Sequence, residues 1–327
     1  MSITTKSGII HYDKVLTNYA VDYSPQQYKF INDLVLPAVV VNKQTDLFRK
    51  YSITGKRDVK NSLRAKGVPS NKVDMFAFTH DTYTCPEYAL HEEIYPQDLA
   101  NSDILDEEKH KVYNIMEALL LQKEKNCSDL VFDEANYAGG SKVNISDAND
   151  RWDKDDYTTN DPREMIFEYK RTVSRRLGIE PNTLVINDET YDGLCRSAFL
   201  ASWLGTTKDK NVDLADLAKF FKVARVIVGS SVYNSAKEGQ TSNLATIWGK
   251  HALLAYINPS TRMDDASFGK TFVWNGADNP TTASRGTVGV RKWYDEDRKI
   301  YKIETEMNYV QKLVFQDAAF FIQNVIS

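Results

Sequence analysis

The stretch from residue 100 to residue 136 constrains the fold of this chain more than any other part of the sequence. Neither proline nor glycine interrupts it, and Gly139 and Gly140 follow it. Its apolar residues recur at steps of three, four, seven or eight, as one face of an α-helix requires: Leu105, Val112, Met116, Leu119, Cys127 and Leu130. A helix of about 35 residues would be roughly 50 Å long, more than a compact domain needs. We therefore predict a long spine helix along which other elements pack.

The composition limits the class of protein. The chain has 327 residues, 42% of them hydrophobic, which is enough for one large or two ordinary cores. A net charge of -4 excludes a strong overall field for nucleic acid. Cys85, Cys127 and Cys195 are far apart and odd in number, which favours reduced thiols in a cytosolic setting. Because the sequence shows neither a signal-peptide pattern nor a long apolar run, we expect a soluble, intracellular protein without membrane contact.

The N-terminal part does not have the pattern of a free-standing domain. Residues 1–22 show no sustained period, so we expect an extended arm that needs another surface to become ordered. Ser24 is the predicted cap of a short helix, and Pro37 ends that helical pattern. The predicted buried face of this helix consists of Phe30, Ile31 and Leu34. Residues 38–41 then read as a short buried strand.

The segment from residue 42 to residue 84 is the most basic part of the chain. Its cations are Lys43, Arg49, Lys50, Lys56, Arg57, Lys60, Arg64, Lys66 and Lys72. Alternating residues at 47–51 and 76–83 predict two strands, and the polar residues 55–72 between them predict a mobile tip. Two interpretations of the charge stay open, a solvated loop and a limb that reaches an acidic neighbour.

Several stretches carry residue types found in functional sites, but their spacing does not fit. Residues 87–94 place three carboxylates around His91 without an established metal-ligand pattern, so we expect a charged face leading into the spine helix. The acidic run 147–156 lacks the glycine of a calcium loop and reads as a surface turn. The Gly-Lys pairs at positions 249 and 269 lack the upstream glycine of a phosphate-binding loop. The sequence therefore offers no catalytic, metal-ligating or cofactor-binding candidate.

The second half of the chain mixes helix and strand patterns. Asn160 or Asp161, followed by proline, predicts a helix start, and residues 188–194 and 214–221 predict two more helices. Apolar runs predict strands near residues 183–186, 224–228, 247–259, 267–274, 288–291, 300–306 and 314–325. This alternation predicts an α+β domain with a mixed sheet.

The order of these parts is distinctive. An aromatic arm with I-N-D-L-V-L-P precedes the basic hairpin, the capped spine helix and the α+β domain. That domain carries P-N-T-L-V-I, I-W-G-K-H-A-L-L-A-Y and S-F-G-K-T-F-V-W, and a set of strands closes the chain. In this order of segments the chain resembles, over nearly its whole length, the major capsid proteins of tailed bacteriophages with the Hong Kong 97-type fold.

The resemblance implies a fold, a division of the chain and a function. The implied segments are an N-terminal arm at 1–42, an extended E-loop hairpin at 43–87, a peripheral domain with the spine helix at 88–155, an α+β axial domain at 156–285, and a return to the peripheral domain at 286–327. The implied function is structural rather than enzymatic and needs no cofactor. Such a chain would self-assemble through pentamers and hexamers into an icosahedral shell around double-stranded DNA. It would be made in the host bacterial cytoplasm and end in the virion capsid.

The resemblance also implies partners. They are copies of the chain itself, together with scaffold, portal and decoration proteins and weak, non-specific contact with packaged DNA. The candidate inter-subunit contacts are basic side chains of the hairpin: Lys56, Arg57, Lys60, Arg64, Lys66 and Lys72. Some members of the family crosslink a hairpin lysine to a neighbour's asparagine, but this sequence selects no single lysine for that role. Two other classes stay open, another phage structural protein of the tail or decoration type and a soluble α+β enzyme.

Overall fold

The computed structural model describes residues 12–23, 30–51, 63–64, 66–67, 69–70, 78–97, 104–154, 161–197, 200, 202–203, 212–237, 239–263, 265–275 and 288–327. The α-helices in these ranges are α1 Lys14–Asp22, α2 Asn32–Val35, α3 Ile104–Val131, α4 Pro162–Leu177, α5 Asp188–Arg196 and α6 Leu214–Phe220. The strands are β1 Ala38–Val41, β2 Thr45–Tyr51, β3 Phe78–Thr84, β4 Glu87–Ile94, β5 Lys142–Asn144, β6 Thr183–Asn187, β7 Arg225–Gly229, β8 Val232–Asn234, β9 Leu244–Thr246, β10 Ala252–Ala255, β11 Gly269–Trp274, β12 Val288–Asp295, β13 Ile300–Leu313 and β14 Ala319–Gln323.

The predicted spine helix is confirmed as α3, which is 28 residues long. Its predicted apolar stripe is buried at Val112, Met116, Leu119 and Cys127. The helix ends at Val131, before the predicted end at residue 136. At this end, Asn136 Nδ2 donates to the Leu130 carbonyl at 2.9 Å and Tyr137 Oη donates to the Val131 carbonyl at 2.6 Å. These side chains satisfy carbonyls that a continuing helix would otherwise pair with its own amides.

A five-stranded sheet lies against the spine helix, with β13 at its centre. The first half of β13 pairs antiparallel with β12 on one side and with β4 on the other. Its second half pairs antiparallel with β11, and β11 pairs in parallel with β1. The face toward α3 is apolar, and Ile303, Met307 and Val290 form a core there with Met116 and Leu119. The spine helix is thus one wall of this core.

A second five-stranded sheet has the order β5-β14-β10-β6-β7. The β6–β7 and β5–β14 pairs are parallel and the others are antiparallel, so the predicted mixed sheet is confirmed. Helices α4, α5 and α6 contribute to the core on this sheet through Ile166, Leu194 and Leu217. Because β5 and β14 lie in this sheet, strand pairing crosses the predicted segment boundaries at residues 155 and 285.

The prediction of an extended arm is wrong for residues 14–22, which form α1 on the body of the same chain. The Asp13 carboxylate accepts hydrogen bonds from the amides of Val15 at 2.9 Å and Leu16 at 3.1 Å and so caps the helix. Leu16 and Ala20, one turn apart, are buried in the core beside α3. Residues 1–11 of the predicted arm lie outside the described residues.

The next predicted helix is only partly confirmed. Its proposed cap, Ser24, lies outside the described residues, and α2 is a single turn of four residues. Ile31 is buried as predicted, whereas Leu34 is 47% exposed. The predicted strand at residues 38–41 is confirmed as β1.

Residues 87–94 are not a charged face leading into the spine helix, as predicted, but the edge strand β4. Alternation along the strand sends neighbouring carboxylates to opposite faces. Glu92 Oε2 lies 3.1 Å from Lys111 Nζ on α3, while Glu93 Oε1 lies 2.8 Å from Arg298 Nη1 on the other face.

Across the described parts of the chain, the helices are too short or too polar to cross a membrane.

Candidate inter-subunit contact surfaces

The predicted basic hairpin is confirmed at its stem, where β2 and β3 pair antiparallel from Thr45↔Thr84 to Tyr51↔Phe78. Its inner face is attached to the five-stranded sheet around β13. The rings of Phe48 and Tyr83 lie 5.2 Å and 4.8 Å from the ring of Phe272 on β11, between ring centroids. Both side chains are buried. The stem is therefore held on its own chain by one face.

The outer face of the stem is exposed. Leu47 pairs across the strands with Thr82, and Arg49 pairs with His80, and all four residues are exposed. Leu47 has 54% of its surface accessible. A two-stranded hairpin is marginal by itself, so its outer face is a candidate contact surface.

The hairpin tip carries the predicted contact residues. Arg64 and Lys66 are exposed, and Leu63 beside them is 85% exposed. The other four candidates, Lys56, Arg57, Lys60 and Lys72, lie outside the described residues, as does most of the predicted tip. The role of these six side chains as contacts stays a prediction.

The sheet of β4, β13 and β12 has a polar face opposite α3, which the sequence analysis did not identify. Arg291 is hydrogen-bonded to Glu304, and its Nη2 lies 2.9 Å from Glu306 Oε2 and 3.8 Å from Glu87 Oε1. Tyr12 Oη donates to Glu306 from the segment before α1. Three carboxylates thus surround one guanidinium. Burial and the negative charge of Glu306 raise the pKa of Glu87 above its ordinary value.

The same face continues toward the β12–β13 turn. Lys302 Nζ lies 2.8 Å from Asp295 Oδ2. The hydrogen bond from Lys302 and that from the Arg298 amide lower the pKa of Asp295. His91 is exposed on β4 directly across from Glu304. Among the described residues, the structure forms no group of three or more His, Cys, Asp or Glu able to hold a metal ion.

The spine helix carries two charged side chains inside the protein, Lys123 and Glu124, each with 0% of its surface exposed. The Glu124 carboxylate accepts hydrogen bonds from the amides of Ile31 at 3.0 Å and Asn32 at 2.8 Å, and from Asn32 Nδ2 at 2.8 Å. It also accepts one from Trp248 Nε1 at 2.6 Å. Burial raises the pKa of Glu124 above its ordinary value, and these donors oppose the shift.

Lys123, itself buried, links the spine helix a second time to the N-terminal segment. Its Nζ lies 2.7 Å from Asp33 Oδ1 and 5.6 Å from the centroid of the Tyr309 ring. Its carbonyl accepts a hydrogen bond from Gln311 Nε2 at 3.2 Å. The only sequence signal for this pair was its position: both residues fall within the apolar stripe, four residues after Leu119 and Leu120.

A cleft of about 250 Å³ opens between the end of α3 and the start of β10. Its lining residues are Ser128, Asp129, Phe132, Ile247, Gly249 and His251. His251 Nδ1 accepts a hydrogen bond from the Asn324 amide at 3.3 Å, which requires that nitrogen to be unprotonated. Burial lowers the pKa of His251, consistent with a neutral ring. The cleft is small and partly polar, with one acid and one imidazole.

Comparison with known proteins finds no protein-family model that matches the chain. The major capsid protein of Burkholderia phage BcepMu is 29% identical to this chain over 252 residues, which cover 75% of this chain and 76% of the relative.

Solved structures share the architecture over almost the whole chain. A phage-related protein from Bordetella bronchiseptica aligns with a TM-score of 0.74 at 19% identity, covering 97% of this chain and 98% of the other. The capsid structure of cyanophage P-SCSP1u aligns with a TM-score of 0.56 at 12% identity, covering 93% of this chain and 91% of the other. At these identities the likeness is one of fold.

Proposed function

We propose that this chain, a structural capsid protein with the Hong Kong 97-type fold, assembles with copies of itself through pentamers and hexamers into an icosahedral shell around double-stranded DNA. The capsid-protein relatives point to a non-enzymatic role and to the virion capsid as its location.

The observation that carries the proposal is the hairpin of β2 and β3. Phe48 and Tyr83 bind its inner face to Phe272, while Leu47 and Arg49 remain exposed on the outer face. A stem with one buried and one open face suits a limb that a neighbouring subunit covers, with the same contact repeated around the shell. The basic candidates of the tip, including Arg64 and Lys66, would then meet acidic groups of that neighbour.

The predicted segments have assigned roles within this proposal. Residues 1–42 act as the arm except for α1, which packs on the body of the same chain, residues 43–87 as the E-loop, 88–155 with 286–327 as the peripheral domain, and 156–285 as the axial domain. The long α3 helix lies within residues 88–155 and supports this division. Strands β6, β7 and β10 of the mixed sheet lie within residues 156–285, and β14 and β5 of the peripheral segments continue the same sheet. The net charge of -4 supports weak, non-specific contact with the packaged DNA. Scaffold, portal and decoration proteins are further proposed partners, and synthesis takes place in the host bacterial cytoplasm.

Electron microscopy of the expressed chain tests this function directly. We expect closed shells with five-fold and six-fold clusters of subunits. Tubes or stacked rings would favour a tail protein instead. A monodisperse monomer that stays monomeric at high concentration, with or without co-expressed phage structural proteins, would overturn the proposal.

A further inference from the structure

We propose that the hydrogen bonds to the buried Glu124 carboxylate, hereafter the latch, couple three parts of the chain. These parts then open together in one local unfolding reaction. The parts are residues 30–36, hereafter the strap, the spine helix α3, and residues 247–251, hereafter the connection, which joins β9 to β10. The proposal concerns coupling inside one subunit and goes beyond the assembly function.

The latch rests on donors that reach one buried carboxylate from two directions. Ile31 and Asn32 donate from the strap, and Trp248 donates from the connection. Trp248 Nε1 lies 2.6 Å from Oε1, and the Ile31 amide lies 3.0 Å from the same oxygen. Hydrogen bonds to an ionised, desolvated group are stronger than neutral ones, and an unpaired buried carboxylate is costly. Strap and connection therefore depend on the same acceptor.

Other contacts bind the strap to both sheets. Asp33 pairs with Lys123 of the spine at 2.7 Å. Arg225 Nη2 of β7 donates to the Leu34 carbonyl at 3.2 Å, and Thr271 Oγ1 of β11 donates to the Leu36 carbonyl at 2.9 Å. The strap thus spans the boundary between the two sheets.

Apolar packing follows the same route. Ile31, Val35 and Leu36 of the strap belong to one core with Cys127 of α3 and Trp248 of the connection. Trp248 is fully buried in this core. The carboxylate lies where strap, spine and connection meet. Separating any two of them would leave its charge in a partly emptied core with fewer hydrogen-bond donors, which is costly.

The consequence is that a change at the connection should reach the strap through a shared oxygen. Replacing Trp248 by phenylalanine keeps an aromatic ring in the core but removes the donor to Oε1. The carboxylate then loses its restraint on that side, and the bonds from Ile31 and Asn32 weaken. A purely local role for Trp248 predicts a change in the connection alone.

Hydrogen–deuterium exchange of the full chain, read by mass spectrometry, tests the latch. We expect Trp248→Phe to speed exchange of the strap amides about tenfold, the factor for losing one charge-assisted hydrogen bond, while the amides of β6 keep their rate. Trp293→Phe, at a tryptophan that is 40% exposed on β12, is the matched control and should leave the strap unchanged. Faster exchange in the connection alone, or an equal increase in strap and β6, would overturn the latch.

A second pair of variants acts on the carboxylate itself. Glu124→Gln replaces one acceptor oxygen by a donor, so one of the surrounding N–H groups loses its partner, and strap exchange should again rise at least tenfold. Glu117→Gln, two turns earlier on α3, should not change it. Unaltered strap exchange in Glu124→Gln would show that the carboxylate does not hold the strap.

The unmodified chain supplies a measurement that needs no variant to fold. In native-state exchange along a denaturant series, the amides of the strap and those of the connection should share one opening free energy and one denaturant dependence. Two separate opening reactions would contradict the latch whatever the variants do.

Discussion

The ring of Tyr83 stacks on the ring of Phe272, with 4.8 Å between centroids and 17° between planes. Tyr83 belongs to the hairpin and Phe272 to the central five-stranded sheet, so this contact sets the direction in which the hairpin leaves the body. Tyr83 Oη also donates to the Lys43 carbonyl at 3.3 Å, at the foot of the same hairpin.

Tyr83→Ala should lower the free energy of unfolding by about 2–4 kcal/mol, because it empties a buried aromatic site. It should also impair assembly, since the stem is no longer held at its root. Chemical denaturation and electron microscopy measure the two effects. Leu47→Ala, on the exposed face of the same stem, is the control and should change stability by no more than about 0.5 kcal/mol. If the two variants lost the same free energy of unfolding, the inner and outer faces of the stem would not differ in burial.

Deleting residues 55–71 should leave a folded, soluble chain that no longer forms closed shells, because the basic tip is expected to bind a neighbour rather than its own core. Circular dichroism and thermal unfolding report the fold, and electron microscopy reports assembly. Shells of normal shape from the deleted chain would contradict the interpretation of the hairpin as an inter-subunit limb.

Leu119→Asp should abolish soluble expression, since it buries a charge in the stripe of α3 and costs about 3 kcal/mol or more. Leu119 is 2% exposed. Ala118→Asp, at the neighbouring exposed position, introduces the same charge on the outer side of the helix and should express normally. Soluble yield and melting temperature are compared between the two variants. Equal values would show that the apolar stripe of α3 is exposed to water.

His251 should make stability depend on pH on the acidic side of neutrality. Burial lowers its pKa in the folded state, so the unfolded chain binds more protons between the lowered value and the ordinary one of about 6.5. The free energy of unfolding should therefore fall as the pH drops through this window and recover above it.

The variant His251→Asn keeps an acceptor near the Asn324 amide but cannot titrate, so this part of the pH dependence should disappear. Denaturant unfolding at several pH values between about 5 and 8 measures it. His110→Asn, at an exposed position of α3, is the control and should leave the wild-type profile in place. If the unfolding free energy of His251→Asn kept its full dependence on acidic pH, groups other than His251 would be responsible for it.

Patterns of apolar spacing predicted the elements whose burial is periodic. The stripe of α3, the strand β1 and the pairing of β2 with β3 follow from such patterns, and the structure confirms them. Helix α1 was missed because it is nine residues long and its burial depends on α3, which lies far away in sequence. A short helix stabilised by tertiary contact leaves little local signal.

A different reason explains why the buried charged residues of α3 could not be predicted. Lys123 and Glu124 are residue types that are almost never buried unless paired, and their partners Asp33 and Trp248 are about 90 and 124 positions away. Likewise, β4 was read as a charged approach to the spine because its edge position leaves carboxylates on both faces. Only the three-dimensional pairing with β13 shows which carboxylate meets which cation.

The position of β13 and β14 has a consequence for when the protein can fold. Strand β13 is the centre of one sheet and β14 is an inner strand of the other, yet both come from residues 300–323. A nascent chain still short of these residues on the ribosome can complete neither sheet. Productive folding therefore follows translation of this region, and an unfinished polypeptide has neither sheet complete.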